Sequence, residues 1–237
     1  MLYRDAHLLA LYKPTGLPTT SPDGRRCLTE VASALDPQAP QLHASSRLDA
    51  EVTGIVTFAR TGRAIQALLA ARKAGQYERY YLALASAAPE PPEGSWHWSI
   101  AQDPREPRRR VALEPGSKKA DPAESGYRVL AKLPQAALLL LRPKTGRTHQ
   151  LRVHAARAGA PLLGDRHYGG PMQRTLNNGR VLRANRVLLH CARVRLPSVS
   201  DNTRVTIDAP VPEDFCSLWQ QLGGDLTQLD PAVWAEP

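Results

Sequence analysis

The sequence predicts an α+β fold built on a large mixed, mostly antiparallel sheet with flanking helices. Short β-branched and apolar segments outnumber segments with helical period, and several of them follow one another with only a turn between. The 237 residues contain no internal repeat, no low-complexity tract and no linker, and they suffice to bury a core. We therefore expect one domain at residues 1–224, followed by a loose tail at 225–237.

In the first 85 residues, apolar runs alternate with segments of helical period. Pro14 and Gly16 impose a turn after the first apolar run, and Pro37 stops the first helical segment. The predicted elements are a strand at 7–12, a helix at 28–35, a strand at 55–59, a helix at 62–74 and a strand at 77–85.

The rest of the chain has more strands than helices. A turn at Pro134 joins two of the strands, and Gly159 ends a helix that opens near residue 146. The other predicted elements are two strand ends around a basic loop within 104–120, strands at 125–130, 136–142, 187–192, 194–196 and 204–208, and a helix at 213–222.

The charge balance indicates a polyanionic partner, most simply a nucleic acid, because the formal net charge is +9 and the pI is near 9.8. In the segment 104–120, only two glutamates offset six positive charges. The segment is either a solvated surface or a patch that follows phosphates, and the charge imbalance favours the patch. The six basic residues are Arg105, Arg108, Arg109, Arg110, Lys118 and Lys119.

Cysteine usage and the chain start indicate a cytoplasmic protein. Cys27, Cys191 and Cys216 are far apart, odd in number and form no CxxC pair, which is typical of reduced thiols. The N-terminus has no apolar signal core, and no apolar run approaches the length of a membrane span.

Three features of the sequence can carry chemistry. Asp49 follows Arg47 in a turn before a predicted strand, which is a good catalytic position, although the pair taken alone is more readily an Asx-turn. Tyr81 lies in a basic and aromatic strand, where a core tyrosine is the simpler interpretation. The segment 146–154 is either functional or a solvated helix start. It offers Arg147, His149, Arg152 and His154.

Several common kinds of active site are not indicated. His149 and His154 are five residues apart, not the three or four that place two metal ligands on one helical face, so zinc is not expected. The chain has no GxSxG, no GxxxxGK[ST] and no GxGxxG after a strand. These absences argue against a serine hydrolase and against a nucleotide cofactor.

Six short motifs occur in a fixed order along the chain. Around the candidate carboxylate, Arg47-Leu48-Asp49 and Val52-Thr53-Gly54-Ile55 match the pattern HRLDxxTSGL. The other matches are 12–17 (NKPxGL), 79–83 (KxYxA), 146–154 (GRTHQ[IL]RVH), 161–165 with 168–170 (PLLGDxxYGG) and 188–191 (LFLHA). Each match alone is weak. In this order, over nearly the whole chain, they resemble the RluA-type pseudouridine synthases.

The match has departures. Ser46 stands where this family usually has His, Val52 and Thr53 replace Thr-Ser, and Arg79 replaces Lys. These changes concern loop support and substrate choice rather than the reaction. The resemblance implies a compact member without the N-terminal RNA-binding domain of many relatives, because the turn at Lys13 comes too early in the chain.

The resemblance implies the pseudouridine synthase fold with a central RNA-binding cleft, and isomerisation of uridine to pseudouridine within RNA. The N–C glycosidic bond breaks, the uracil rotates and rejoins through C5, so no cofactor is implied. Asp49 would be the ionised, essential carboxylate, Arg152 would hold it charged, and Tyr81 would stack on the uracil and serve in proton transfer. Arg47 would contact the RNA backbone or fill the gap left by the flipped base, and Leu189 would be an apolar wall.

The remaining candidates would bind the RNA substrate. We expect ribosomal or transfer RNA as the partner, no DNA or membrane partner, and a monomer. A non-catalytic RNA-binding or chaperone protein is the main alternative, but it has no need of a carboxylate that repels phosphate. An RNA hydrolase or glycosylase is a weaker alternative, because no second carboxylate is placed to activate water. The expected substrate-binding residues, besides Arg47 and Leu189, are Lys13, Arg147, His149, Gln150, Arg108, Arg109, Arg110, Lys118 and Lys119.

Overall fold

The computed structural model describes residues 1–21, 24–39, 42–201 and 203–234. The chain divides into two compact units. The predicted boundary at residue 224 has no counterpart, because the residues on both of its sides belong to the second unit. The first unit is Met1–Arg79 with His190–Pro210, and the second is Tyr80–Leu189 with Val211–Pro237.

Strands dominate the described part of the chain, and the predicted strands and helices are present with most bounds within two residues. The strands are β1 Tyr3–Arg4, β2 Leu8–Lys13, β3 His43–Ala44, β4 Thr53–Ala59, β5 Glu78–Ala85, β6 Glu93–Trp96, β7 Ser99–Gln102, β8 Arg110–Leu113, β9 Ser125–Leu133, β10 Ala136–Pro143, β11 Gln173–Thr175, β12 Val181–Arg183, β13 Leu189–Pro197 and β14 Arg204–Asp208. The helices are α1 Leu28–Leu35, α2 Gly62–Lys73, α3 Gln150–Arg157, α4 Glu213–Gln221 and α5 Pro231–Trp234, with 3₁₀ turns at Arg166–Tyr168 and Leu226–Leu229.

In the first unit, β4 is the central strand. It pairs with β2 and β3 in antiparallel orientation and with β13 in parallel orientation, while β1 extends β2 and β14 extends β13. All seven residues of β4 are buried, as expected of a β-branched run covered on both faces. The predicted mixed, mostly antiparallel arrangement is confirmed.

In the second unit, four strands pair in the antiparallel order β5-β10-β9-β6, and a short turn joins β9 to β10. The apolar run of β10 is buried from Ala136 to Leu141. Two further antiparallel pairs, β7 with β8 and β11 with β12, stand apart from this sheet. Of the two strand ends predicted within 104–120, β8 lies in that segment, whereas its partner β7 ends before it at Gln102.

The residue at the C-terminal end of α1, Asp36, has a buried carboxylate. Asp36 is 1% exposed, accepts a 2.8 Å hydrogen bond from Arg4 and is also paired with Arg60. The hydrogen bond from Arg60 lowers the pKa of Asp36, against the effect of burial. These contacts fasten β1 and the end of β4 to α1.

The C-terminal residues 225–234 are ordered, so the prediction of a loose tail is wrong for them. Trp234 is 1% exposed, and its indole N–H donates to the Leu229 carbonyl at 3.1 Å. Arg128 donates to the Trp234 carbonyl at 2.6 Å, and the Tyr80 ring lies 6.4 Å from the indole. Burial of an indole holds such a segment more firmly than its polar sequence suggests. Residues 235–237 of the predicted tail lie outside the described residues.

No helix in the described ranges is long and apolar enough to cross a membrane. None of the three cysteines forms a disulfide; Cys27 and Cys191 are buried and Cys216 is partly exposed.

Candidate active site

Asp49 lies in the loop between β3 and β4, in the first unit, with its side chain partly exposed. Its carbonyl accepts a 3.0 Å hydrogen bond from the Val52 amide, which closes a turn. The preceding residue is held on both backbone groups: the Thr19 hydroxyl donates to the Leu48 carbonyl at 3.1 Å and accepts from the Leu48 amide at 3.0 Å. The carboxylate is therefore presented from a loop whose backbone is fastened on either side.

Lys13 holds the same loop from within the protein. It is 0% exposed, and its ammonium group donates to the carbonyls of Pro14 at 2.9 Å, Leu17 at 2.7 Å and Ala50 at 2.9 Å. The Gly16 amide also donates to the Ala50 carbonyl, at 2.8 Å. The prediction that Lys13 binds phosphate is wrong, because an ammonium group has three donors and here they bind three backbone carbonyls.

Ser46 belongs to a buried cluster of hydroxyl groups. It is 4% exposed and accepts a 3.4 Å hydrogen bond from Tyr77, whose hydroxyl also lies 2.6 Å from the Thr57 hydroxyl. Ser45 donates to the Thr57 carbonyl at 2.9 Å. Where the family usually has His, this chain thus has a small residue that supports the loop from inside and is closed to solvent.

Gly54 is required by the parallel pairing of β4 with β13. Its φ is +115°, and a Cβ at this position would lie 2.2 Å from the Cys191 carbonyl oxygen. One residue earlier, the Thr53 hydroxyl and His190 Nδ1 lie 2.9 Å apart, and both residues are buried. These contacts fix the start of β4 directly after the Asp49 loop.

In the second unit, Arg152 on α3 is held by a carboxylate that the sequence analysis did not single out. Asp165 is 0% exposed, and its two oxygens accept from Nε and Nη2 of Arg152, each at 2.7 Å. This bidentate geometry gives the guanidinium one orientation. Asp165 belongs to the motif at 161–165, so its place in that motif was the available signal.

Gln150 has a structural role, and its predicted contact with RNA is wrong. The residue is 4% exposed; its amide N–H groups donate to the Glu124 carbonyl at 2.8 Å and the Ser125 hydroxyl at 2.9 Å. Its oxygen accepts from the Thr145 hydroxyl at 2.7 Å and the Arg147 amide at 2.9 Å. These four bonds satisfy the whole amide and fix the loop that enters α3.

His149 and Tyr168 form a polar contact at the start of α3. His149 is the residue before the helix and has a φ of 57°, in the left-handed region that residues other than glycine seldom adopt. Its Nδ1 lies 2.7 Å from the hydroxyl of Tyr168, which is 8% exposed. In the sequence, the signal for Tyr168 is its place in the motif at 161–165 and 168–170.

Tyr81 lies on β5 opposite Leu141 of β10 and is 4% exposed, and Leu189 begins β13 and is 3% exposed. Arg47 is exposed. The catalytic and substrate-binding roles of these three residues remain predictions.

The basic residues of the β7–β8 hairpin and the turn after it differ in exposure. Arg110 is half-buried and donates to the carbonyls of Pro107 at 2.9 Å and Arg109 at 2.8 Å, so it shapes the loop itself. Arg109 is half-buried and lies 3.6 Å from Glu106. The exposed basic side chains are Arg105, Arg108, Lys118, Lys119 and, outside the hairpin, Arg147, whose Nε donates to the Pro122 carbonyl at 3.1 Å.

The histidine of α3 is part of the core. His154 is 0% exposed, with Nε2 2.9 Å from the Trp98 carbonyl and Nδ1 3.0 Å from the Ser125 hydroxyl. Burial lowers the pKa of His154, which favours the neutral ring. Over the residues that the structure describes, no three His, Cys, Asp or Glu side chains are grouped to hold a metal ion.

The structure thus brings together, within the second unit, Arg152, Asp165, His149 and Tyr168, and it places Asp49 on a rigid loop of the first unit. The joint action of Asp49, Tyr81 and Arg152 stays a prediction.

Comparison with known proteins defines the class. The model of the RNA pseudouridylate synthase family matches residues 7–157, and the chain belongs to this family of isomerases. The solved human RNA pseudouridylate synthase domain containing 4 superposes with a TM-score of 0.73 at 25% identity, covering 94% of this chain and 92% of that one.

Two curated relatives are similar over most of the chain. The ribosomal large subunit pseudouridine synthase C of Vibrio vulnificus is 32% identical over 94% of this chain and 69% of its own length. The dual-specificity RNA pseudouridine synthase RluA of Escherichia coli K12 is 30% identical over 89% of this chain and 92% of its own length. These names favour an enzyme over a non-catalytic RNA-binding protein.

Proposed function

We propose that the chain isomerises specific uridines in structured ribosomal or transfer RNA to pseudouridine, with Asp49 as the essential carboxylate. The observation that carries the proposal is the match of the family over residues 7–157, which includes Asp49, Tyr81 and Arg152. One relative is named for the large ribosomal subunit and the other for a dual RNA specificity, and both names support this choice of RNA. Action as a monomer in the cytoplasm is part of the proposal.

In the proposed reaction, the ionised Asp49 attacks the ribose or abstracts a proton while uracil leaves from C1′. The base then rejoins C1′ through C5, which breaks the bond from Asp49 to the ribose or is accompanied by return of the abstracted proton. The C5 proton is lost and N1 is protonated, so that the product is an isomer of the substrate. Tyr81 stacks on the uracil and serves in the proton transfer. Arg152, oriented by Asp165, supplies the fixed positive charge that keeps the catalytic carboxylate ionised.

The test is pseudouridine mapping of total RNA from a strain that lacks the gene, from its parent, and from the deletion strain carrying either the wild-type gene or Asp49→Asn. We expect one or a few positions to lose pseudouridine on deletion and to regain it only with the wild-type gene. An unchanged map on deletion contradicts the proposed function, and restoration by Asp49→Asn contradicts the role of Asp49.

The proposed phosphate contacts of the hairpin predict a salt effect. The triple variant Arg108→Ala/Arg109→Ala/Arg110→Ala should bind RNA more weakly, and the slope of log affinity against log salt should fall in magnitude by about one to two units, because each phosphate contact contributes about 0.7–0.9. The contribution is below that of three full contacts because Arg110 already binds loop carbonyls. Filter binding of total RNA at several salt concentrations measures the slope.

A matched control removes three positive charges elsewhere, from the exposed Lys132, Arg180 and Arg183. The control variant, with alanine at all three positions, should keep the wild-type slope. Equal slopes for the hairpin variant and the wild type would show that the hairpin is a solvated surface that does not contact RNA.

A further inference from the structure

Tyr168 ends a tightly built turn in the second unit and has no role in the predicted catalytic set. The turn is compact because two of its glycines, Gly164 and Gly170, leave no room for a side chain: a Cβ at either position would lie 1.8 Å from a backbone carbonyl oxygen. The amides of Tyr168 and Gly170 donate to the Asp165 carbonyl at 3.2 and 2.8 Å. Tyr168 and Asp165 are therefore held in one rigid piece.

This piece contacts Arg152 twice. The carboxylate of Asp165 binds two nitrogens of the guanidinium, and Cζ of Arg152 lies over the Tyr168 ring, 5.2 Å from its centroid. The ion pair and the cation–π contact together restrict the movement of the guanidinium.

The Tyr168 hydroxyl contacts two further segments. It accepts a 2.9 Å hydrogen bond from the backbone amide of Arg110, the first residue of β8, and it lies 2.7 Å from Nδ1 of His149, the residue that precedes α3. The guanidinium of Arg109 lies 5.8 Å from the centre of the same ring. One side chain thus joins the basic hairpin, the start of α3 and Arg152.

We propose that Tyr168 is a positioning residue for RNA: its hydroxyl fastens the arginine hairpin to α3, and its ring holds Arg152. This inference rests on the proposed function and deepens it, because it links phosphate binding at the hairpin to the orientation of the arginine used in the reaction. The hydroxyl contact and the ring contact are expected to have different effects. The hydroxyl acts on RNA binding through the hairpin, and the ring acts on turnover through Arg152.

The test compares Tyr168→Phe and Tyr168→Leu with the matched control Tyr127→Phe. Tyr127 is also 8% exposed, and its hydroxyl donates to the Pro91 carbonyl, so the control loses a similar hydrogen bond without touching Arg152. The probe is total RNA labelled with tritium at C5 of uridine, taken from the deletion strain. The assay is tritium release, since C5 loses its hydrogen when it bonds to C1′.

We expect Tyr168→Phe to raise the apparent KM about three- to tenfold and to change kcat less than about twofold, the range that one lost hydrogen bond produces. Tyr168→Leu, which also removes the ring, should lower kcat as well. Tyr127→Phe should leave both constants within about twofold of the wild type. In the background of the hairpin triple variant, Tyr168→Phe should add less than a twofold rise in KM, because its effect passes through the missing arginines.

A second variant keeps the inference testable if Tyr168→Phe does not fold. His149→Gly removes the imidazole and suits the left-handed backbone, and it should raise KM in the same direction. Failure of the proposed function and failure of the role of Tyr168 give different results. If the wild-type protein releases no tritium, the proposed function is wrong. If it is active and Tyr168→Phe and His149→Gly both behave like Tyr127→Phe, the role of Tyr168 is overturned and the proposed function stands.

Discussion

Asp49→Asn is expected to lose pseudouridine formation by roughly 10³-fold or more, the scale of losses when an essential nucleophile or base is neutralised. The amide is of nearly the same size as the carboxylate, and the loop around it is held by backbone hydrogen bonds that the change does not touch. The fold and the affinity for RNA should therefore be retained. Affinity should even rise slightly, because a negative charge that repels phosphate is removed.

The measurement for Asp49→Asn is tritium release from C5-labelled RNA in single-turnover conditions, with filter binding of the same RNA. Glu51→Gln is the matched control: it lies in the same loop, is exposed, and undergoes the same change of charge. We expect Glu51→Gln to remain fully active. An Asp49→Asn protein that keeps more than a few per cent of the wild-type rate would show that another group carries the reaction.

Asp165→Asn is expected to have the largest effect on stability. The change leaves the Arg152 guanidinium, 3% exposed, against a neutral amide in a site that is closed to water. Removing one partner of a buried ion pair costs about 3–5 kcal/mol in the free energy of unfolding. Turnover should fall as well, because the guanidinium loses its bidentate partner. Urea unfolding measures the first effect, and tritium release well below the unfolding temperature measures the second.

The control for this variant is Asp214→Asn. Asp214 makes the same bidentate contact, with Arg186 at 2.6 and 2.7 Å, but its side chain is 54% exposed. Water can reach the amide that replaces Asp214, and the buried Arg186 also donates to the Val187 carbonyl at 3.0 Å. The loss of stability should therefore be smaller, and turnover should be unchanged. If the two aspartate variants lost equal stability, burial of Asp165 would not be the cause.

The elements that the sequence predicted well are those with enough residues for a hydrophobic period to show. α1 and β14 have the predicted bounds, and β10 differs by one residue. The missed strands β1, β3, β6, β11 and β12 have two to four residues each, too few to show an alternation. Their pairing depends on a neighbouring strand that lies far away in the sequence.

By itself, the sequence determined the α+β class, the basic character and the order of motifs that contains Asp49, because periodicity, charge and motif spacing are properties of the chain. Only the tertiary structure decided which polar residues face solvent. The sequence presents Lys13 as a phosphate ligand, but its ammonium group donates to the carbonyl of Ala50, 37 residues away. Arg152 is paired with Asp165, and Trp234 is buried in the core. Each outcome depends on contacts between residues distant in sequence, and burial and hydrogen bonding between such residues exist only once the chain has folded.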